Sequence, residues 1–160
     1  MTHNIHIREA QIQDKPAIIR LIQSYSMHDV KFAQRYYDYY FSDSAVTNED
    51  LVVVAEMDNQ IVGVCGYCED YFCNEYSYHL SWLVVAENCW GWQSGIVAEK
   101  LLSAVEKDLR RYKVKKLFVN AVDKPERCHG FYLKHGFQFE GRLKDYYSRG
   151  EDQIIFGKQL

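Results

Sequence analysis

Six consecutive residues, Gln93-Ser94-Gly95-Ile96-Val97-Ala98, followed by Leu101-Leu102, stand where a strand and loop hand over to a long amphipathic helix. The first turn of such a helix carries backbone N–H groups with no partner inside the helix. The helix dipole adds partial positive charge there, so the junction suits an anion. Small residues at Gly95 and Ala98 let a phosphate approach the backbone. A second set, Cys65, Cys68, Cys73 and His79, includes a pair spaced as two zinc ligands would be. Cys65 falls inside a strand and is expected to point into the core, as free cysteines commonly do, so no metal is expected. Cys89 and Cys128 are the remaining thiols, and packing is the role expected of them. Five cysteines, an odd number, without a basic-then-apolar leader read as reduced thiols in a cytoplasmic protein.

The elements that must position these residues follow from periodicity. Ile5 to Arg8 is a short extended start. Asp14 and Pro16 open a helix whose stripe is Ile18, Ile19, Leu21 and Ile22. A second, aromatic-rich helix runs from about Val30 to Phe41. Leu51 to Glu56 and Gln60 to Tyr67 flank the turn pair Asp58-Asn59 and predict a hairpin. One strand is predicted from about Tyr76 to Val85, and a loop from Ala86 to Trp92 leads to the helix Ser94 to Tyr112. Its apolar positions Val97, Leu101, Leu102, Val105 and Leu109 keep helical spacing. Lys116 to Val122 is a strand, Glu126 to His135 a short helix stopped by Gly136, and Phe137 to Tyr147 and Asp152 to Lys158 are closing strands. The order β-α-α-β-β-β-α-β-α-β-β predicts a mixed α/β domain spanning residues 1–160.

Composition narrows the class. With 48% apolar and 26% charged residues in 160, the chain can bury one core and is not expected to be disordered. A net charge of -3 does not suit a nucleic-acid binder, and the run Arg110, Arg111, Lys113, Lys115 and Lys116 sits at a helix end, where cations suit the dipole. No apolar stretch approaches the ~20 residues of a membrane span. Thirteen tyrosines line either the core or a pocket.

Gln93 to Ala98 resembles the cofactor motif of the GNAT N-acetyltransferase family, Gln/Arg-x-x-Gly-x-Gly/Ala with a Leu-Leu pair two residues later. Gln93 and Ala98 match, and Ile96 departs from the pattern by replacing the first glycine. Downstream, Tyr132-Leu133-Lys134-His135-Gly136-Phe137 is similar to the family's Tyr-x-x-x-Gly-Phe segment, although Pro125 and Cys128 replace the Asn and Ala usual before it. Together the segments cover roughly residues 51 to 160, with a plausible N-terminal start at Ile5 to Ile22. The resemblance implies a GNAT fold: a mixed central sheet of six to seven strands, splayed at the cofactor between about 76–85 and 116–122 and flanked by about four helices.

It also implies acetyl-CoA as co-substrate. Leu83, Val84 and Val85 would pair with its pantetheine amides, and Gln93, Ser94, Gly95, Ile96, Val97 and Ala98 would hold its pyrophosphate. The implied reaction is direct transfer of the acetyl group to a primary amine through a tetrahedral intermediate. Backbone N–H near Val84 or Val85 would polarise the carbonyl, and Tyr132 would act as general acid on the departing thiolate. Where some members carry a Glu, this chain has Asn120, which cannot take a proton. Glu75, His79 and Glu87 are the candidate bases. The family builds its acceptor pocket from the early helices and strand ends, which here means Tyr36, Tyr37, Tyr39, Tyr40 and Phe41. Asp38, Glu69, Asp70 and Glu75 add negative charge, so a small-molecule or protein amine attracted by that charge is expected. A non-catalytic acyl-CoA binding or sensing module is the alternative. No nucleic-acid or membrane partner is expected, and dimers are frequent in the family.

Overall fold

The structure is a computed structural model and describes residues 4–27, 29–42, 50–69, 76–89, 92–123 and 127–160. Two compact units are present, one built from residues 1–68 and 81–108, the other from 69–80 and 109–160. The described residues form eight strands and four α-helices, a mixed α/β arrangement.

In the first unit, β1 (His6–Glu9), β2 (Leu51–Met57), β3 (Gln60–Glu69) and β5 (Val84–Val85) pair antiparallel in that order. The β2–β3 hairpin turns at Asp58 and Asn59, with φ of 51° and 61°. Both central residues are left-handed, as a tight right-twisting hairpin requires, and Asn and Asp tolerate this best among residues with a side chain. Helices α1 (Lys15–Tyr25) and α2 (Val30–Tyr40) cover one sheet face, where Ile18, Leu21, Ile22, Ala33 and Tyr37 pack with Val52, Val54, Val64 and Val84. Pro16 stands in the first turn of α1, as expected. Asp14 occupies the N-cap position without a capping bond. Its carboxylate is taken instead by Arg8, at 2.6 and 3.0 Å, and by the Gln11 N–H at 2.8 Å.

Helix α3 (Trp92–Arg111) covers the opposite face. A Cβ on Gly63 would come within 2.9 Å of Leu101 Cδ1 and 3.0 Å of Val97 Cγ1. The missing side chain is what lets the helix lie against β3, and Val97, Leu101 and Val105 are fully buried there.

In the second unit, β4 (Ser77–Leu80) runs parallel to β6 (Lys116–Val122), with Tyr78 opposite Leu117. β6 pairs antiparallel with β8 (Glu151–Gln159), which pairs antiparallel with β7 (Gln138–Ser148). Helix α4 (Arg127–Lys134) ends before Gly136, whose φ is +87°. That left-handed stop costs glycine little, which is why the chain turns there into Phe137.

The structure corrects the strand expected over 76–85. Ser77–Leu80 pairs with β6, then the Ser81 N–H donates to the Gly66 carbonyl at 2.9 Å and Val84–Val85 pairs with β3. The run is interrupted at 81–83, and that interruption makes two strands of one. It also raises the strand number from the expected six to seven to eight.

Candidate functional site

The cofactor-side residues lie in the first unit. The Ala86 N–H donates to the Val62 carbonyl at 2.8 Å. Backbone groups alternate along an extended strand, so those of Val85 face the edge away from β3. From Val85 the chain passes through a 3-10 turn, Glu87–Cys89, toward the start of α3. Helix α3 begins at Trp92, two residues earlier than the sequence predicts, which places Gln93, Ser94 and Gly95 in its first turn.

That turn fits an anionic ligand on three counts. It carries no acidic residue. Gly95 is exposed, and a Cβ added there would meet nothing within 4 Å. Ile96, the departure from the motif, is 38% exposed, so its side chain extends outward rather than into the core. Ala98 is half-buried. The side chain of Val97 is wholly in the core, and its N–H, in the second turn, is used within the helix. Leu83 is half-buried beside the buried Val84.

The aromatic residues of α2 also belong to this unit. Tyr36, Tyr40 and Phe41 are half-buried, whereas Tyr37 is fully buried. The Tyr36 ring lies 6.2 Å from Tyr40 at an interplanar angle of 22°, and 5.6 Å from Trp82. The Tyr36 hydroxyl donates to Asp50 Oδ2 at 3.0 Å. Burial first, and the Asp50 carboxylate second, push the Tyr36 phenol far above its ordinary range. Burial does the same to Tyr37, whose hydroxyl is buried without a hydrogen-bond partner among the described residues. Asp38, expected to attract the acceptor, is exposed and forms an ion pair with Lys15.

The second unit holds Tyr132 on α4 and His79 on β4. Tyr132 is 8% exposed. Its ring packs edge-on against Phe131 and Phe137, at 5.6 and 5.5 Å, and lies 6.0 Å from Phe156. His79 is half-buried and stacks on Phe118 at 5.6 Å and 25°. Glu69 is exposed at the end of β3. Glu87, in the first unit, is exposed on the 3-10 turn. Glu75, Asp70, Cys73 and Pro125 lie outside the described residues, as do the side chains of Trp92 and Gln93.

Of the cysteines weighed as metal ligands, Cys65 is fully buried, and burial pushes its thiol well above the ordinary range. Among the described residues, no group of three or more His, Cys, Asp or Glu side chains is arranged to hold a metal ion, and no helix is long and apolar enough to cross a membrane. The sequence reading missed Asp50 and Trp82. Neither carries a local signal, because each gains its place through contacts with α2.

Comparison with known proteins agrees with this arrangement. A structure from Desulfovibrio desulfuricans assigned to the GNAT acetyltransferases is similar to the chain at a TM-score of 0.85 and 25% identity, covering 98% of this chain and 99% of that one. The ribosomal-protein-alanine N-acetyltransferase of Brucella melitensis gives a TM-score of 0.77 at 22% identity, over 97% and 99%. An acetyltransferase structure from Salmonella typhimurium, solved with its cofactor acetyl-CoA, gives 0.76 at 18%, over 98% and 94%. The last two are alike in fold alone. No curated protein matches the chain. Residues 16–137 match the acetyltransferase (GNAT) family. With that match over most of its length, on a fold that brings a strand into an open helix start, the chain belongs to the acetyltransferase (GNAT) family.

Proposed function

We propose that residues 1–160 form one catalytic domain that moves an acetyl group from acetyl-CoA to a primary amine by direct transfer through a tetrahedral intermediate. The observation that carries this reading is the open, acid-free first turn of α3 following β5 in a chain of this family. Acetyl-CoA is the co-substrate and supplies the acetyl group as a thioester. The first turn of α3, Gln93 to Gly95, would hold its pyrophosphate through backbone N–H groups that have no acceptor inside the helix, and β5 with Leu83 its pantetheine arm.

The chain's own residues then have three tasks. The Val84 N–H is turned toward β3, so the Val85 N–H is the candidate to polarise the thioester carbonyl as the neutral amine attacks. The new C–N bond forms, the C–S bond breaks, and the sulfur leaves with the electron pair. Tyr132 gives that sulfur a proton. A phenol near pKa 10 and a thiol near about 8.5 are close enough for this to need no extreme shift. The proton lost by the amine passes to water and a base, for which His79, Glu87 and Glu75 are the candidates. The acceptor is a small-molecule or protein amine bounded by Tyr36 and Tyr40.

The test is thiol release from acetyl-CoA with a panel of amines, in wild type and Tyr132→Phe. Replacing the phenol keeps the ring packing and removes the acid, so kcat is expected to fall roughly a hundredfold or more with KM for acetyl-CoA little changed. An unchanged kcat removes Tyr132 from its role. Tight coenzyme A binding without turnover on any amine makes the chain a binding module instead.

A further inference from the structure

We infer that His129 is a positioning residue for Tyr132, acting through a side-chain bond that ties the first turn of α4 to the end of β6. This deepens the proposed acetyl transfer and rests on the acid role given there to Tyr132.

Helix α4 has 8 residues, Arg127–Lys134. A helix this short is not stable by itself and takes its position from what holds it to the sheet. Backbone holds its C-terminal end. The Phe137 N–H donates to the Tyr132 carbonyl at 3.1 Å, and the buried Phe137 ring lies 5.5 Å from that of Tyr132. His129 holds the N-terminal turn. Its Nε2 stands 2.8 Å from the carbonyl of Val122, the last residue of β6. A carbonyl can only accept, so Nε2 carries the proton and donates. The His129 ring is half-buried and lies 5.3 Å from Phe156 of β8.

This anchor reaches Tyr132 within one unit. Residues three apart share one face of a helix. His129 and Tyr132 do so and meet on the same ring, since Phe156 also lies 6.0 Å from Tyr132. Phe156 is buried and stands opposite Val119 in the β6–β8 ladder, so it keeps its place with β6. With α4 held at one end by Phe137 and at the other by Val122, its tilt on the sheet is set, and the phenol with it. Loss of the Nε2 bond leaves the C-terminal hold as a pivot. Displacing a reacting group by about 1 Å costs up to about a hundredfold in rate. Packing on Phe156 asks only for a ring. The bond to Val122 asks for a donor at the place of Nε2.

The experiment measures kcat and KM for acetyl-CoA on an amine that the full chain acetylates. The variants are His129→Phe, His129→Gln and His129→Asn, each alone and with Tyr132→Phe. His129→Phe keeps a ring on Phe156 and deletes the donor. His129→Gln returns an amide N–H near the place of Nε2, and the shorter His129→Asn does not reach it. His129→Phe is expected to lower kcat about tenfold or more and to change KM for acetyl-CoA less than about twofold. His129→Gln is expected to recover most of that loss, and His129→Asn little of it. In the Tyr132→Phe background His129→Phe is expected to cost nothing further, because one residue acts through the other. An equal loss in both backgrounds makes His129 a structural residue and overturns the inference. An unchanged kcat in His129→Phe, with activity lost in Tyr132→Phe, overturns it too and leaves the transfer reading standing. An unchanged kcat in Tyr132→Phe overturns the acid role and the inference that rests on it. Should His129→Phe fail to fold, His129→Gln and His129→Asn decide, and equal kcat in those two overturns the inference. No turnover of any amine by wild type overturns the transfer reading, and the inference falls with it.

Discussion

Val97 Cγ1 occupies the space beside Gly63 so closely that a Cβ on the glycine would come within 3.0 Å of it. Val97 is also in the second turn of α3, so this contact sets how near the helix start lies to β3, the strand on which β5 pairs. Gly63→Val is expected to destabilise the protein by about 1–3 kcal/mol, the usual cost of overpacking, and to raise KM for acetyl-CoA by shifting the helix start. Thermal unfolding and acetyl-CoA saturation curves check the two effects together.

The opposite result is expected one turn away. Gly95 has open space around it, so a side chain there strains nothing. Gly95→Asp places a carboxylate in the first turn, where the dipole welcomes it. The melting temperature should hold or rise. The same charge repels a pyrophosphate, and KM for acetyl-CoA should increase about tenfold or more. Unchanged acetyl-CoA kinetics in this variant would remove the first turn of α3 from the cofactor site.

Tyr37 and Tyr36 are adjacent and should behave differently. The Tyr37 hydroxyl is buried with no partner among the described residues, a standing cost of desolvation. Tyr37→Phe is expected to stabilise the protein by about 1 kcal/mol, seen as a higher melting temperature. Tyr36→Phe removes a donor from Asp50 and should give no such gain.

Acid sensitivity should centre on Asp14. The Arg8 guanidinium holds its carboxyl below the ordinary range, against the opposing effect of burial. A depressed folded-state pKa means the stabilisation is complete above the unfolded value of about 3.9 and is lost as pH falls through the lower folded value. Asp14→Asn should be less stable than wild type at neutral pH, and its melting temperature should fall less steeply below about pH 4. Melting curves across that range decide it.

Much of the architecture is local and was readable from the chain alone. The stripe Ile18, Ile19, Leu21, Ile22 makes α1 because the spacing leaves one face to bury. Asp58-Asn59 makes the hairpin because both residues tolerate positive φ. Gly136 stops α4 for the same reason. The Gln93–Ala98 and Tyr132–Phe137 segments marked the family because their residue types are tied to backbone geometry within a single turn or helix. Tertiary structure decided the rest. The apolar run 76–85 does not reveal that it breaks at 81–83 into a parallel partner of β6 and an antiparallel partner of β3, since both parts have the same hydrophobic character. Asp14 looks like a cap until Arg8 takes its carboxylate. Tyr36 and Tyr37 are alike in sequence, yet the helical rotation of one residue sends Tyr37 into the core and leaves Tyr36 beside Asp50. A carboxylate after a polar stretch and a tryptophan inside a strand mean little alone. They gain their place only where folding sets them against α2, because ring contacts and a hydroxyl–carboxylate bond depend on distances that no local pattern encodes.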